Sequence, residues 1–233
     1  MSKVCYEIIR NDERLFFNDG EKYVLFDTGF LPPFSAVKSS SVNAGIGPFR
    51  VNGMPKQFFS DFINLTMNDG AGVTAVFNPM DGYNCMLQGN TLTITDEETD
   101  LPAAECFLKF LHPQFPLVEG KMNGHDCRFL FDSGARMTMI GDRALIAGAE
   151  KTGTYREWMA MKREYADLPV FKIKLEFSGG AGFDGSGALV EDPAYSAQGR
   201  MMNIQAMLGI DIFNKYDLFI AAKGNRGIAL LKK

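Results

Sequence analysis

Two short segments of this 233-residue chain carry residues suited to acid–base chemistry, Asp27-Thr28-Gly29 and Asp132-Ser133-Gly134. Each directly follows an apolar run ending in Phe, Tyr23-Val24-Leu25-Phe26 in one case and Phe129-Leu130-Phe131 in the other. The two Asp residues lie 132 − 27 = 105 positions apart, and residues 15–29 overlay residues 120–134 turn on turn and strand on strand. An Asp in this position sits where a strand leaves the core. The Gly lets the backbone turn sharply and admits a neighbouring chain at close range, while the Thr or Ser hydroxyl can bond backbone across an interface. If a pseudo-twofold axis relates the two turns, Asp27 and Asp132 face each other, and two carboxylates at about 3 Å cannot both ionise easily. They share one proton. The ionised member can then take a proton from a water held between them, while the protonated member hydrogen-bonds a carbonyl oxygen, which is the division of labour that amide hydrolysis needs. On this reading Asp27 and Asp132 are catalytic, Thr28 and Ser133 support them, and Gly29 and Gly134 flank the substrate backbone. No metal and no organic cofactor is called for.

The elements that must position these residues are mainly β: short runs rich in β-branched and aromatic residues, set off by Gly and Asn turns. Asn18-Asp19-Gly20 and Asn123-Gly124 are hairpin signals, because positive φ is tolerated there. A helix is expected over 142–149 with Asp142 as its cap, and a second short one after Asp211. Two further blocks extend the internal match: 63–72 lies over 173–182 at an offset of 110, and Cys85-Met86-Leu87 over Ala206-Met207-Leu208 at 121. Blocks in one order, with offsets that only grow, indicate a duplicated unit. The expected boundary falls between Pro102 and Pro116, giving lobes of residues 1–112 and 113–233. Two segments suit a flap over the cleft, 42–54 with Gly45, Gly47 and Gly53, and 152–167 with Tyr155, Trp158 and Tyr165. Trp158 fits either a pocket wall or ordinary packing between flap and body.

Composition narrows the function classes. With 46% hydrophobic and 22% charged residues the chain reads as globular, and no apolar run approaches the roughly 20 residues that span a bilayer. A net charge of −4 without a basic cluster argues against nucleic acid as a partner. Residues 1–112 hold eight Lys and Arg against fourteen Asp and Glu (net −6), and residues 113–233 sixteen against fourteen (net +2), a weak aid to lobe docking. The N-terminal residues lack a secretory pattern, so a cytoplasmic setting is expected. Cys5, Cys85, Cys106 and Cys127 form no Cys-x-x-Cys pair and are expected to be free and mostly buried, and two His residues offer little for metal binding. Gly179-Gly180-Ala181-Gly182 lacks the Lys of a phosphate loop and reads as a β-turn. Ser133 lacks the Gly-x-Ser-x-Gly frame of a serine hydrolase. Asn64-Leu65-Thr66 is a sequon without a secretory context.

The stretch Phe129-Leu130-Phe131-Asp132-Ser133-Gly134-Ala135, followed much later by Met207-Leu208-Gly209-Ile210-Asp211, resembles the retropepsin-like branch of the aspartic proteases; Leu117-Val118-Glu119-Gly120 and the Asn123-Gly124 hairpin look like the usual lead-in. The resemblance covers nearly all of the second half. It implies an all-β acid-protease (pepsin/retropepsin-like) fold of two pseudo-twofold related lobes, an apolar-apolar-Gly segment crossing behind each Asp loop, and a monomer in which one chain supplies both lobes, as in pepsin. The first half departs from the pattern. Phe30-Leu31-Pro32-Pro33-Phe34 stands where a small residue is expected after Asp27-Thr28-Gly29, and Gln88 where the crossing segment would have Gly. Phe30 is expected to narrow the cleft. The function implied is an aspartic endopeptidase acting on peptides or proteins; the competing class is a pseudoprotease that holds an extended peptide by strand addition without cutting it.

Overall fold

The computed structural model describes residues 2–11, 14–29, 34–41, 43–67, 72–159, 162–224 and 226–233. It is mostly β. Lobe one is built on a seven-stranded sheet in the order Ile9–Asn11, Arg14–Asp19, Lys22–Phe26, Ala75–Phe77, Ala36–Lys38, Phe49–Met54, Asn43–Ile46. Lobe two has a sheet of the same plan: Leu117–Met122, His125–Phe131, Ala206–Leu208, Thr138–Ile140, Gly182–Leu189, Glu164–Glu176, Lys151–Met159. In each, the strand leading to the Asp runs parallel to a three-residue strand from much later in the chain, which is itself antiparallel to the strand after the Asp loop. These central strands are covered on both faces, which explains unbroken apolar runs such as Val24-Leu25-Phe26 and Phe129-Leu130-Phe131, all buried.

A third sheet joins the lobes. Its six strands are Lys3–Glu7, Thr91–Thr95 and Asn84–Gln88 from the first half, then Tyr216–Ala221, Gly227–Lys232 and Cys106–Lys109. The seam is antiparallel, Leu87 opposite Leu218 and Cys85 opposite Ile220, with all four side chains buried. Cys106–Lys109, which precedes the expected boundary at 112, pairs with Gly227–Lys232.

The register corrects the second and third blocks of the sequence match. Leu25 pairs with Val76 as Leu130 pairs with Met207, and Ala36 with Val76 as Met139 with Met207. The crossing segment of lobe one is therefore Ala75-Val76-Phe77-Asn78. Cys85-Met86-Leu87 belongs to the joining sheet instead, and Gln88 is exposed there opposite Thr91. Likewise 63–66 ends helix α1 (Lys56–Thr66), whereas 173–176 is strand. Equivalent positions differ by 103 (Ala36, Met139) before the insertion and by 131 (Val76, Met207) after it, so lobe two gains 131 − 103 = 28 residues between them.

Both Asn/Asp-Gly hairpins form, with Gly20, Asn123 and Gly124 at positive φ. The segment 142–149 is shorter than expected: Asp142 does cap Ala144 N–H at 2.9 Å, but only a 3-10 turn, Arg143–Ile146, follows. The short helix at Asp211 is a 3-10 segment, Ile210–Asn214. Ser178–Gly180 is a turn with Gly179 and Gly180 at positive φ. All four cysteines are free, Cys5 exposed and the others buried. Helix α2 (Pro193–Met202) was not expected; Asp192 caps it, accepting from Ala194 and Tyr195 N–H at 2.8 and 3.1 Å. Among the described residues no helix is long and apolar enough to cross a membrane.

Candidate active site

The two Asp residues leave their strands under matching control. Asp27 N–H donates to Phe77 O at 3.0 Å and Asp132 N–H to Leu208 O at 2.9 Å, so each backbone stays clamped one residue past its strand. Each loop then folds back on itself, Gly29 N–H donating to Asp27 Oδ1 and Gly134 N–H to Asp132 Oδ1, both at 2.9 Å. The hydroxyls lock the two loops together. Thr28 N–H donates to Ser133 Oγ (3.0 Å) and Ser133 N–H to Thr28 Oγ1 (2.9 Å), while Thr28 Oγ1 donates to Phe131 O and Ser133 Oγ to Phe26 O. All four bonds are buried and cross the lobe boundary.

This lock brings Asp27 and Asp132 side by side, 7% and 8% exposed, each carboxyl lying against the glycine of the opposite loop. The glycines make that possible: a Cβ on Gly29 would run into the Asp132 carboxyl, and one on Gly134 into the Asp27 carboxyl. Burial pushes both carboxyls above the usual carboxylate range, and the charge of Asp132 drives Asp27 higher still. The Gly29 and Gly134 amides and the Arg14 guanidinium pull the other way. Two buried carboxyls so placed resist carrying two negative charges at once.

Behind each loop stands a second carboxyl. In lobe two Thr138 Oγ1 lies 2.9 Å from both Asp211 carboxyl oxygens and accepts from Gly209 N–H at 3.4 Å. At the equivalent place in lobe one Ser35 Oγ accepts from Asn78 N–H at 3.0 Å, and Ser35 N–H donates to Asp81 at 3.1 Å. By the strand register Ser35 and Asn78 are the equivalents of Thr138 and Gly209, whereas Asp81 stands one place past the equivalent of Asp211.

Beside the dyad a cleft of about 770 Å³ opens, mostly on the Asp132 side. Its floor includes Leu130, Met139 and Met207, one wall is α2 with Tyr195, and the other is the hairpin of Lys151–Met159 and Glu164–Glu176. This hairpin is the insertion of lobe two and one of the two expected flaps. Trp158, half-buried, lines the cleft and meets Tyr165 edge-on across the hairpin at 5.4 Å, so it serves both as wall and as hairpin packing. Two ion pairs hold the hairpin over the cleft: Arg136–Glu157 at 2.8 Å, both nearly buried, and Lys162–Asp192 at 2.8 Å, which reaches the cap of α2. Of the other flap candidate, 42–54, the described residues 43–54 form a short hairpin outside the cleft, tied down where Gly47 N–H donates to Asp19 at 2.7 Å. Phe30 lies outside the described residues.

Sequence reasoning missed Arg14, Tyr195 and the lid ion pairs. Tyr195 had a signal, since Asp192-Pro193 is a helix start that brings the next turn into play. Arg14 had none. Compared with protein-family models and with curated proteins, the sequence matches none.

Proposed function

We propose that this chain is a single-chain aspartic endopeptidase with a two-lobed acid-protease fold, in which Asp27 and Asp132 activate water against a peptide bond. One observation carries the reading: two Asp loops, interlocked through Thr28 and Ser133, hold a pair of buried carboxyls, each against the other loop's glycine, at the mouth of a largely apolar cleft. Capping of tight turns does not require such an arrangement.

An extended peptide enters between the dyad and the lid hairpin. The ionised carboxylate takes a proton from a water as its oxygen attacks the scissile carbonyl carbon, and the protonated carboxyl donates to the carbonyl oxygen. The tetrahedral diol so formed breaks its C–N bond as the carboxyl proton passes to the departing nitrogen and one diol hydroxyl returns its proton to the other carboxylate, giving a carboxylic acid and an amine. The pair again holds one proton. Every proton moved comes from water or the dyad, so peptide and water are the only reactants. The folded-back Gly29 and Gly134 amides keep each carboxyl oriented throughout.

Incubation with a diverse peptide library between pH 3 and 7, read by mass spectrometry, tests this. Cleavage lost in Asp132→Asn supports the reading. Binding without cleavage at every pH overturns it in favour of a pseudoprotease.

A further inference from the structure

We infer that Arg14 is the counter-ion of the dyad, a lobe-one cation without an equivalent in lobe two, which keeps the Asp27–Asp132 pair singly ionised despite its burial and so sets the pH range of the site. Arg14 opens the strand Arg14–Asp19, is 5% exposed, and reaches across the lobe boundary so that its Nε donates to Gly134 O at 3.4 Å. It lines the same cleft as both carboxyls. A guanidinium cannot be neutralised at ordinary pH, so a buried one requires a nearby anion. The dyad lies in the same cleft, beside the Gly134 whose carbonyl Arg14 holds.

The pseudo-symmetry shows that this charge is an addition. Phe16 pairs with Leu25 and Leu117 with Leu130, and Leu25 and Leu130 are equivalent, so Phe16 corresponds to Leu117 and Arg14 to Phe115. Lobe two thus places an aromatic where lobe one places a cation. The other charges around the cleft are answered elsewhere: Arg136 faces Glu157, Lys162 faces Asp192, and Asp142 and Arg200 sit on the exposed rim. Tyr195, near Asp132, stays neutral because burial and the Asp132 charge both push its hydroxyl up. Arg14 acts on both carboxyls, and its charge opposes the effect of burial on each.

The sign follows from charge balance. The positive charge of Arg14 favours the ionised form of both carboxyls. Without the guanidinium the pair would accept its second proton at higher pH and release its last one at higher pH, moving both macroscopic steps upward.

The consequence for catalysis rests on the peptidase reading, but the ionisation does not, and the experiment separates them. Carbon-13 NMR of labelled Asp carboxyls titrates Asp27 and Asp132 in the wild type, in Arg14→Gln, which keeps a donor for Gly134 O, and in Arg14→Lys, which keeps the charge. In Arg14→Gln both apparent pKa values should rise by at least about one unit, whereas Arg14→Lys should stay within about half a unit of the wild type. An unchanged titration in Arg14→Gln overturns the inference. Should that variant not fold, the wild-type Arg14 Nε resonance decides: it should move with the same two apparent values as the dyad, and a flat response overturns the inference equally. A shifted titration without cleavage by any form would sink the peptidase reading alone; cleavage whose pH limits ignore a neutral residue 14 would sink the Arg14 role alone.

Discussion

Thr28 and Ser133 each give a backbone N–H to the other's hydroxyl, at 3.0 and 2.9 Å, across the boundary between the two lobes. Each hydroxyl also donates to a carbonyl on the far side, so one side chain satisfies two buried backbone groups. Removing it leaves both without partners, at a cost of about 1–3 kcal/mol for each orphaned group. Ser133→Ala and Thr28→Val should therefore lower the urea midpoint clearly, while Ser133→Thr and Thr28→Ser stay close to the wild type. Because the four bonds form one unit, the double variant should lose less than the sum of the singles. A midpoint unmoved in Ser133→Ala would show that the lock adds nothing to stability.

The dyad makes a different demand. Burial and mutual repulsion raise its carboxyls, so cleavage should follow a bell whose two limbs belong to the pair, the acid limb marking the second proton gained and the basic limb the last proton lost. Asp27→Asn or Asp132→Asn should lower turnover by roughly 100- to 10,000-fold. Neither should lower the melting temperature, since a neutral amide replaces a group that is costly to bury charged. Near-normal turnover in Asp27→Asn would rule out a symmetric mechanism.

The dyad and its lock were legible because they rest on local chemistry that occurs twice: an apolar strand, a turn, and Asp-Thr/Ser-Gly. The remainder of the duplication was misaligned. Helix α1 announces itself through Phe59, Ile63 and Met67, which recur every four residues and are all buried, but matching Ile63-Asn64-Leu65 to the strand at Ile173 concealed that period. Ala75-Val76-Phe77-Asn78 ends in Asn where lobe two has Gly209, so the crossing segment carried no Gly to mark it. Asn78 suits the place because its side chain accepts from Met80 N–H and starts the next turn. Arg14 is a matter of tertiary reach, and no pattern of neighbours along the chain foretells a side chain that crosses between lobes.

The lid hairpin is held by two ion pairs of unequal kind. Lys162 is half exposed, and such a pair contributes at most about 1 kcal/mol. Arg136 and Glu157 are 13% and 12% exposed, and Arg136 also stacks over Tyr155 at 5.7 Å. Losing Glu157 strands a nearly buried cation, at about 3 kcal/mol. Lys162→Met should leave the melting temperature almost unchanged yet speed hydrogen exchange near the hairpin tip, whereas Glu157→Ala should lower the melting temperature and speed exchange along the whole of 151–176. Equal effects from the two variants would contradict this ranking.

Asp211 offers a test of the second tier through the pH dependence of stability. Burial pushes its carboxyl up to about 6, whereas in an unfolded chain Asp titrates near 4. A carboxyl raised on folding binds its proton more tightly in the native state, so its favourable contribution is complete below about pH 4 and is lost as the pH climbs to about 6. Above that the native state carries a buried carboxylate at a cost of at most about 3 kcal/mol. Asp211→Asn does not titrate, and its amide oxygen can still accept from Thr138. Measured by urea unfolding at pH 4, 5, 6 and 7, the stability of Asp211→Asn relative to the wild type should rise between pH 4 and 6 and then level off. Any hydrogen bond the amide fails to make adds a constant and leaves that slope intact, and the dyad titrates in both proteins and cancels. Asp81, raised by burial beside Ser35 in lobe one, should give the same direction in Asp81→Asn. A difference independent of pH would mean that Asp211 is not raised by its burial behind the Asp132 loop.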